Sequence, residues 1–272
     1  MNTVLIEDIE YGNVNGKPLL LDIIRPTRLP EEPMPVIIYI HGGGWSSGDK
    51  AGIGGREWNS YFAKNGYFVV NINYRLSGEA IFPAQIHDCK AAVRWLRANH
   101  VKYHIHPEKI GVWGHSAGGH LAALLATSIG SDVSEGKSGH PNYPTHINCA
   151  VTVSAPIDIL NMGGWHDLEN SHEAKLIGEI TVRKNIELAQ KTNPIQYIND
   201  QSENIPFLII HGEADKVVPF SQAQLIYENL PNAALLSVKG ADHGMEGGIL
   251  TITTLLDMIL SFFDQSLFNR NL

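Results

Sequence analysis

The feature that most restricts this chain is Gly114-His115-Ser116-Ala117-Gly118, a serine set between two glycines. It follows directly on the apolar run Ile110 to Trp113 and leads directly into the helix-prone run Gly119 to Thr127. A strand-to-helix turn this tight forces its central residue into a strained backbone conformation, and flanking glycines let neighbouring segments pass without a clash. The turn would hold the Ser116 hydroxyl up at the carboxyl end of the strand. Alone the pentapeptide is a weak signal, because the chain carries 26 glycines in 272 residues. Its company strengthens it: His41-Gly42-Gly43-Gly44-Trp45 lies upstream, and Asp215 and His243 lie downstream.

The surrounding pattern predicts the architecture. Thr3 to Tyr11 and Pro18 to Arg25 alternate in strand fashion around Asn15-Gly16, a two-residue hairpin turn signal. Short apolar strands are then expected at Val36 to Ile40, Tyr67 to Asn73, Ile110 to Trp113, Ile147 to Ser154, Pro206 to Ile210 and Ala234 to Val238. Helical stretches separate them. In Pro83 to Asn99, for example, Phe82, Ile86, Cys89, Val93 and Leu96 share one face. Ser221 to Asn229 and Glu246 to Phe263 are the late helices. An antiparallel pair followed by repeated βα units is an α/β fold: a mostly parallel, eight-stranded sheet with helices on both faces. One domain spanning 1–272 is expected, with 157–205 as a lid-like insertion between the sixth and seventh strands.

Composition removes several function classes. A net charge of −8 argues against nucleic acid or an anionic membrane surface as the main partner. No apolar run reaches the ~20 residues of a membrane helix. The N-terminus lacks a basic segment followed by an apolar core, so the expected location is cytoplasmic. Cys89 and Cys149 read as buried, unpaired thiols. Nothing in the sequence sets an oligomeric state.

In open sheets of this kind, ligands bind beyond the carboxyl ends of the strands. Ser116, Asp215, His243 and the Gly42 to Gly44 loop each follow a predicted strand. A serine hydroxyl is a poor nucleophile until a base takes its proton. A histidine can do this near neutral pH, and a carboxylate behind it fixes the tautomer and stabilises the transient cation. Backbone N–H groups complete the set by holding a developing oxyanion. Gly43, Gly44 and Ala117 are placed to supply them. Asp158 is a rival acid, but Asp215 sits at the better distance before His243. Asp242 reads as a loop carboxylate and His41 as a shaper of the glycine loop. His115 reads as a packed elbow residue, and His100, His104 and His106 as a solvated helix end with no metal-ligand pattern. Trp45 and Trp165 are the candidates for substrate contact, with core packing the competing role for Trp45.

These motifs, with Asn73-Tyr74-Arg75-Leu76, Phe82-Pro83-Ala84-Gln85 and Val218-Pro219 in the same order, resemble the esterase and lipase α/β-hydrolases. The closest likeness is to the bacterial bifunctional feruloyl and acetyl-xylan esterase group, a neighbour of the hormone-sensitive-lipase-like esterases. It runs from about Leu20 to Phe263. The resemblance implies Ser116 as nucleophile, Asp215 as acid and His243 as base, with Gly43, Gly44 and Ala117 around the oxyanion. It implies a serine carboxylesterase acting on short-chain or carbohydrate-linked (acetyl or feruloyl) esters through an acyl-enzyme, with no cofactor and no metal. Two departures bear on substrate. About forty residues precede His41, leaving a small or absent cap, and Gly78 replaces the family's usual proline. An arylformamidase, a serine peptidase and a non-catalytic binding protein on the same fold are the alternatives.

Overall fold

The structure, a computed structural model, describes residues 1–52, 54–131 and 135–268. Positions 53, 132–134 and 269–272 of the expected 1–272 unit lie outside them. Eight strands form one sheet: β1 (Thr3–Val14), β2 (Lys17–Pro26), β3 (Met34–Ile40), β4 (Phe68–Ile72), β5 (Ile105–His115), β6 (Cys149–Val153), β7 (Phe207–Gly212) and β8 (Ala233–Val238). Their order is β1-β2-β4-β3-β5-β6-β7-β8. The β1–β2 and β2–β4 pairs are antiparallel and every later pair is parallel. Asn15 and Gly16 both take positive φ between β1 and β2, as the hairpin signal required.

All seven residues of β3 are buried, which marks a central strand covered on both faces. Alternation then divides its side chains between two cores. Val36, Ile38 and Ile40 join the core under helices Ala84–Ala98, Ala117–Thr127 and Ser221–Asn229. Ile37 and Tyr39 join the opposite core, with Phe62 of helix Gly55–Lys64 and Phe263 of helix Ile252–Phe263. The sheet is thus a two-sided scaffold whose carboxyl edge is free to carry loops.

Most predicted bounds shift by up to three residues, and two differ by more. β5 starts at Ile105, where Ile105 pairs with Met34 across a register shift before the Val36–Ile110 pair. His106 is therefore a strand residue, while His104, at φ 54°, terminates the turn His100–Tyr103. The last helix begins at Ile252, capped by the Thr251 hydroxyl, because positive φ at Met245 and Gly247 keeps the preceding segment as loop. Between β6 and β7 lie only short elements, at Gly164–Asp167, His172–Leu176, Val182–Asn185, Ile186–Lys191 and Pro194–Tyr197. Cys89 and Cys149 are unpaired and buried. Among the described residues, no helix is long and apolar enough to cross a membrane.

Candidate active site

Ser116 sits between the end of β5 and the Ala117–Thr127 helix at φ 56°, ψ −124°, the strained conformation anticipated for it. Its N–H donates to the Val153 carbonyl at 2.8 Å, and its own carbonyl accepts the first helical bond from His120 at 3.0 Å. Close approach explains the glycines. A Cβ on Gly118 would lie 2.0 Å from the Ile40 carbonyl oxygen, and one on Gly114 would lie 2.4 Å from the Gly118 carbonyl. Neither position admits a side chain without moving backbone.

Two more loops converge on this turn. Asp215 follows β7, and its Oδ1 accepts from the Val217 and Val218 amides, each at 2.8 Å. Its Oδ2 accepts from His243 Nδ1 at 2.8 Å, and His211 Nε2 lies 3.2 Å away. Burial alone would push the Asp215 carboxyl up. The hydrogen bonds from His211, His243 and the Val218 amide outweigh it and hold the carboxyl well below the usual range. Because Nδ1–H is committed to this carboxylate, His243 Nε2 carries the lone pair, and it stands 3.0 Å from Ser116 Oγ. The loop bearing His243 is fixed from several sides. His115 Nε2–H donates to the His243 carbonyl at 2.7 Å. Asp242 accepts from the Gly244 and Glu246 amides, each at 2.9 Å. A Cβ on Gly212 would fall 2.3 Å from the Ala241 carbonyl oxygen, so the Asp215 and His243 loops meet across a bare backbone.

The glycine loop lies beside the serine. Gly43 and Gly44 adopt φ 111° and φ 57°. Among the described residues, the amides of Gly43, Gly44 and Ala117 donate to no protein acceptor. All three residues line a cavity of about 320 Å³ that also reaches Ser116, His243 and Trp165. The loop's footing is His41, stacked on Tyr74 at 4.4 Å between ring centres, with Tyr74 Oη donating to the His41 carbonyl. Burial lowers the His41 imidazole's pKa. Burial also pushes His115 down to about 4, against the hydrogen bond it makes to His243, so the ring is neutral near pH 7.

The expected residues fare differently. Ser116, Asp215 and His243 are brought together, and Asp158 is not: its carboxylate accepts from the Leu160 amide and the Asn161 side chain. Trp165 is 39% exposed at the cavity wall. Trp45 lines the cavity from within the core. Its ring is 1% exposed within the core and its Nε1–H donates to His120 Nδ1 at 3.2 Å, so it borders the cavity chiefly as a support. His104 Nε2 faces the Pro30 and Glu31 carbonyls, and His100 Nδ1 the Arg97 carbonyl. Among the described residues, no group of three or more His, Cys, Asp or Glu is arranged to hold a metal ion. The sequence reading gave no role to His211, His166, His172 or Glu173. His211 was traceable, four residues before Asp215; the other three lie in a segment with no periodic signal.

Comparison with known proteins identifies the family. A family model described as BD-FAE matches residues 21–230, most of the chain. The chain belongs to the BD-FAE family. The esterase LipC of Mycobacterium tuberculosis is 31% identical over 84% of this chain and 57% of its own length. The chain spans little more than half the length of the curated relatives it matches. Among solved structures, a truncated carbohydrate esterase from gut microbiota superposes with a TM-score of 0.84 at 30% identity, covering 97% of this chain and 96% of the other. A bifunctional GH43-CE protein of Bacteroides eggerthii gives a TM-score of 0.84 at 34% identity, over 96% of this chain and 35% of that one. The BD-FAE chain therefore carries an α/β-hydrolase fold over the whole sheet.

Proposed function

We propose that this protein is a serine carboxylesterase acting on short acyl esters, including those borne on carbohydrate. The observation that carries the reading is the continuous hydrogen-bonded row from Asp215 Oδ2 through His243 to Ser116 Oγ, with steps of 2.8 and 3.0 Å. It ends at a cavity bordered by the amide-bearing residues Gly43, Gly44 and Ala117.

In this reading Ser116 Oγ attacks the ester carbonyl carbon while His243 Nε2 takes its proton. The carbonyl π electrons move onto oxygen, and the Gly43, Gly44 and Ala117 amides receive that charge. Removing one such donor elsewhere costs about 2.7–4 kcal/mol of transition-state stabilisation. Collapse of the intermediate breaks the bond to the alcohol, which leaves with the proton held by His243. Water then attacks the acyl-serine, giving its proton to the same nitrogen, and the acid departs as Ser116 regains its hydrogen. Asp215 stays ionised throughout, consistent with a carboxyl held well below the usual range.

Size supports short acyl groups, since about 320 Å³ is at the lower end of small-molecule sites. The structural neighbour named as a carbohydrate esterase supports a sugar-borne ester. A panel of p-nitrophenyl acetate, butyrate and octanoate with acetylated xylan, methyl ferulate and N-formylkynurenine tests this. Turnover of acetate well above octanoate, abolished in Ser116→Ala, is the expected result. Preferential cleavage of N-formylkynurenine would replace the ester reading, and no turnover on any substrate would favour a binding protein.

A further inference from the structure

Glu173 is 2% exposed, yet it borders the cavity that holds Ser116. It stands on the short helix His172–Leu176, started by the Ser171 hydroxyl accepting from the Ala174 amide and anchored by buried Ala174 and Leu176. Its Oε1 meets His166 Nδ1 at 2.8 Å, and His166 Nε2 meets the Val217 carbonyl at 2.8 Å. Its Oε2 is buried and, among the described residues, has no partner. Buried polar atoms are nearly always satisfied, and an orphan carboxylate oxygen is costly.

Proton accounting says what kind of partner this oxygen takes. A carbonyl only accepts, so His166 Nε2 carries a hydrogen. The contact between Nδ1 and Oε1 then needs one further proton, whichever atom holds it. The Glu173–His166 pair is therefore neutral as a unit, and Oε2 is an acceptor in either arrangement. A neutral pair offers a cation no net charge, but it offers a hydroxyl a well-placed acceptor. The neighbours suit the same ligand. His172 lines the cavity with its Nδ1 paired to Ser46 Oγ at 2.9 Å. The partly exposed Trp165 ring lies 3.7 Å from the His166 ring and 6.2 Å edge-on from His172. An aromatic ring beside an unpaired acceptor matches a pyranose, whose C–H faces are apolar and whose rim is hydroxylated.

We infer that Glu173 Oε2, with Trp165 and His172, forms a subsite that accepts a hydrogen bond from a hydroxyl of the sugar bearing the scissile ester. The inference rests on the serine-esterase reading and names the group that selects its substrate. Its test is the ratio of kcat/KM for a mono-acetylated methyl xyloside to that for cyclohexyl acetate, a six-membered ring without hydroxyls, with p-nitrophenyl acetate as reference. The wild-type ratio should be at least about tenfold, and Glu173→Leu should cut it by about 10–100-fold. Glu173→Gln should restore most of it, because its amide can donate to His166 Nδ1 and leave its oxygen toward the ligand. A wild-type ratio near one, or a Glu173→Leu loss equal on both ring esters, overturns the inference while leaving the esterase reading intact. If the leucine variant does not fold, a wild-type ratio near one still overturns the inference, and a ratio fully kept in Glu173→Ala does the same. Absence of turnover on all three esters would remove the esterase reading and this inference with it.

Discussion

The turn around Ser116 and the segment from 157 to 205 border the same cavity but are built in opposite ways. At the turn, backbone meets backbone. Gly114 and Gly118 have no room for a methyl group, and all eleven residues of the following helix are buried. In the segment, elements of four to six residues alternate with loops, and Leu168, Ile180 and Ile186 are more than half or half exposed. A Cβ on Gly163 or Gly164 would meet nothing within 4 Å. The first region is fixed by steric exclusion, the second by caps and hydrogen bonds around buried apolar anchors such as Ile159, Leu176 and Val182. On the proposed reading the lesson is a division of labour: chemistry is assigned to where geometry cannot drift, recognition to where side chains can be exchanged. His120 ties the two together, since it lies on the rigid helix yet its Nε2–H donates to the Thr192 carbonyl at 2.8 Å.

The contrast can be broken first at the chemistry. Ser116→Ala should lower kcat by about 10⁵-fold or more, by analogy with other serine hydrolases, with a melting temperature close to wild type. Retained turnover in that variant would refute the assignment. Asp215→Asn should cost about 10⁴-fold in kcat, because an amide can turn its donor toward His243 and select the wrong tautomer. A loss under tenfold would shift the acid role elsewhere.

Stability sharpens the comparison next. Gly118→Ala should destabilise by about 3 kcal/mol, since the Ile40 carbonyl must move to admit a methyl group. Gly163→Ala meets no atom within 4 Å, and its loss is the backbone penalty alone: φ 69°, ψ −174° is a region all but reserved for glycine, at about 1–3 kcal/mol. Denaturant melts of the pair measure the two losses, and a larger loss at Gly163 than at Gly118 would dissolve the distinction between the regions.

A smaller effect concerns the tie between them. Burial pushes the His120 imidazole down to about 4, and its Nδ1 already accepts from Trp45. The ordinary imidazole pKa is near 6.5, so between pH 6.5 and 4 the unfolded chain binds a proton that the folded chain refuses. This contribution is complete above pH 6.5 and lost as pH falls toward 4. The melting temperature should therefore drop by several degrees over that window. His120→Gln, less stable at pH 7, should show a shallower fall. Parallel slopes in the two proteins would exclude His120 as a source.

The sheet and the Ser116–His243–Asp215 row were legible in the sequence because each depends on local signals. Apolar runs of four to eight residues marked six strands, and alternation on either side of Asn15-Gly16 marked the hairpin of the other two. Glycines at 114 and 118 marked the turn, since nothing else tolerates such contact. Less legible was anything decided by partners far along the chain. Trp45 reads as an aromatic beside a glycine loop, and only the fold reveals that His120 takes its indole hydrogen. Glu173 carries no local signal; it is placed by His166, which the Val217 carbonyl holds in turn. The start of β5 at Ile105 depends on Met34, some seventy residues earlier, which no local pattern encodes.

The central claim is that the Ser116 hydroxyl, activated through His243, is the nucleophile. Incubation with a fluorophosphonate, followed by digestion and mass spectrometry, tests it most directly. The account requires one adduct per chain, on the peptide containing Ser116, with activity lost in proportion to labelling and no adduct in Ser116→Ala or in acid-unfolded protein. Full loss of activity with the label on another residue, or full labelling of Ser116 with turnover undiminished, would contradict it.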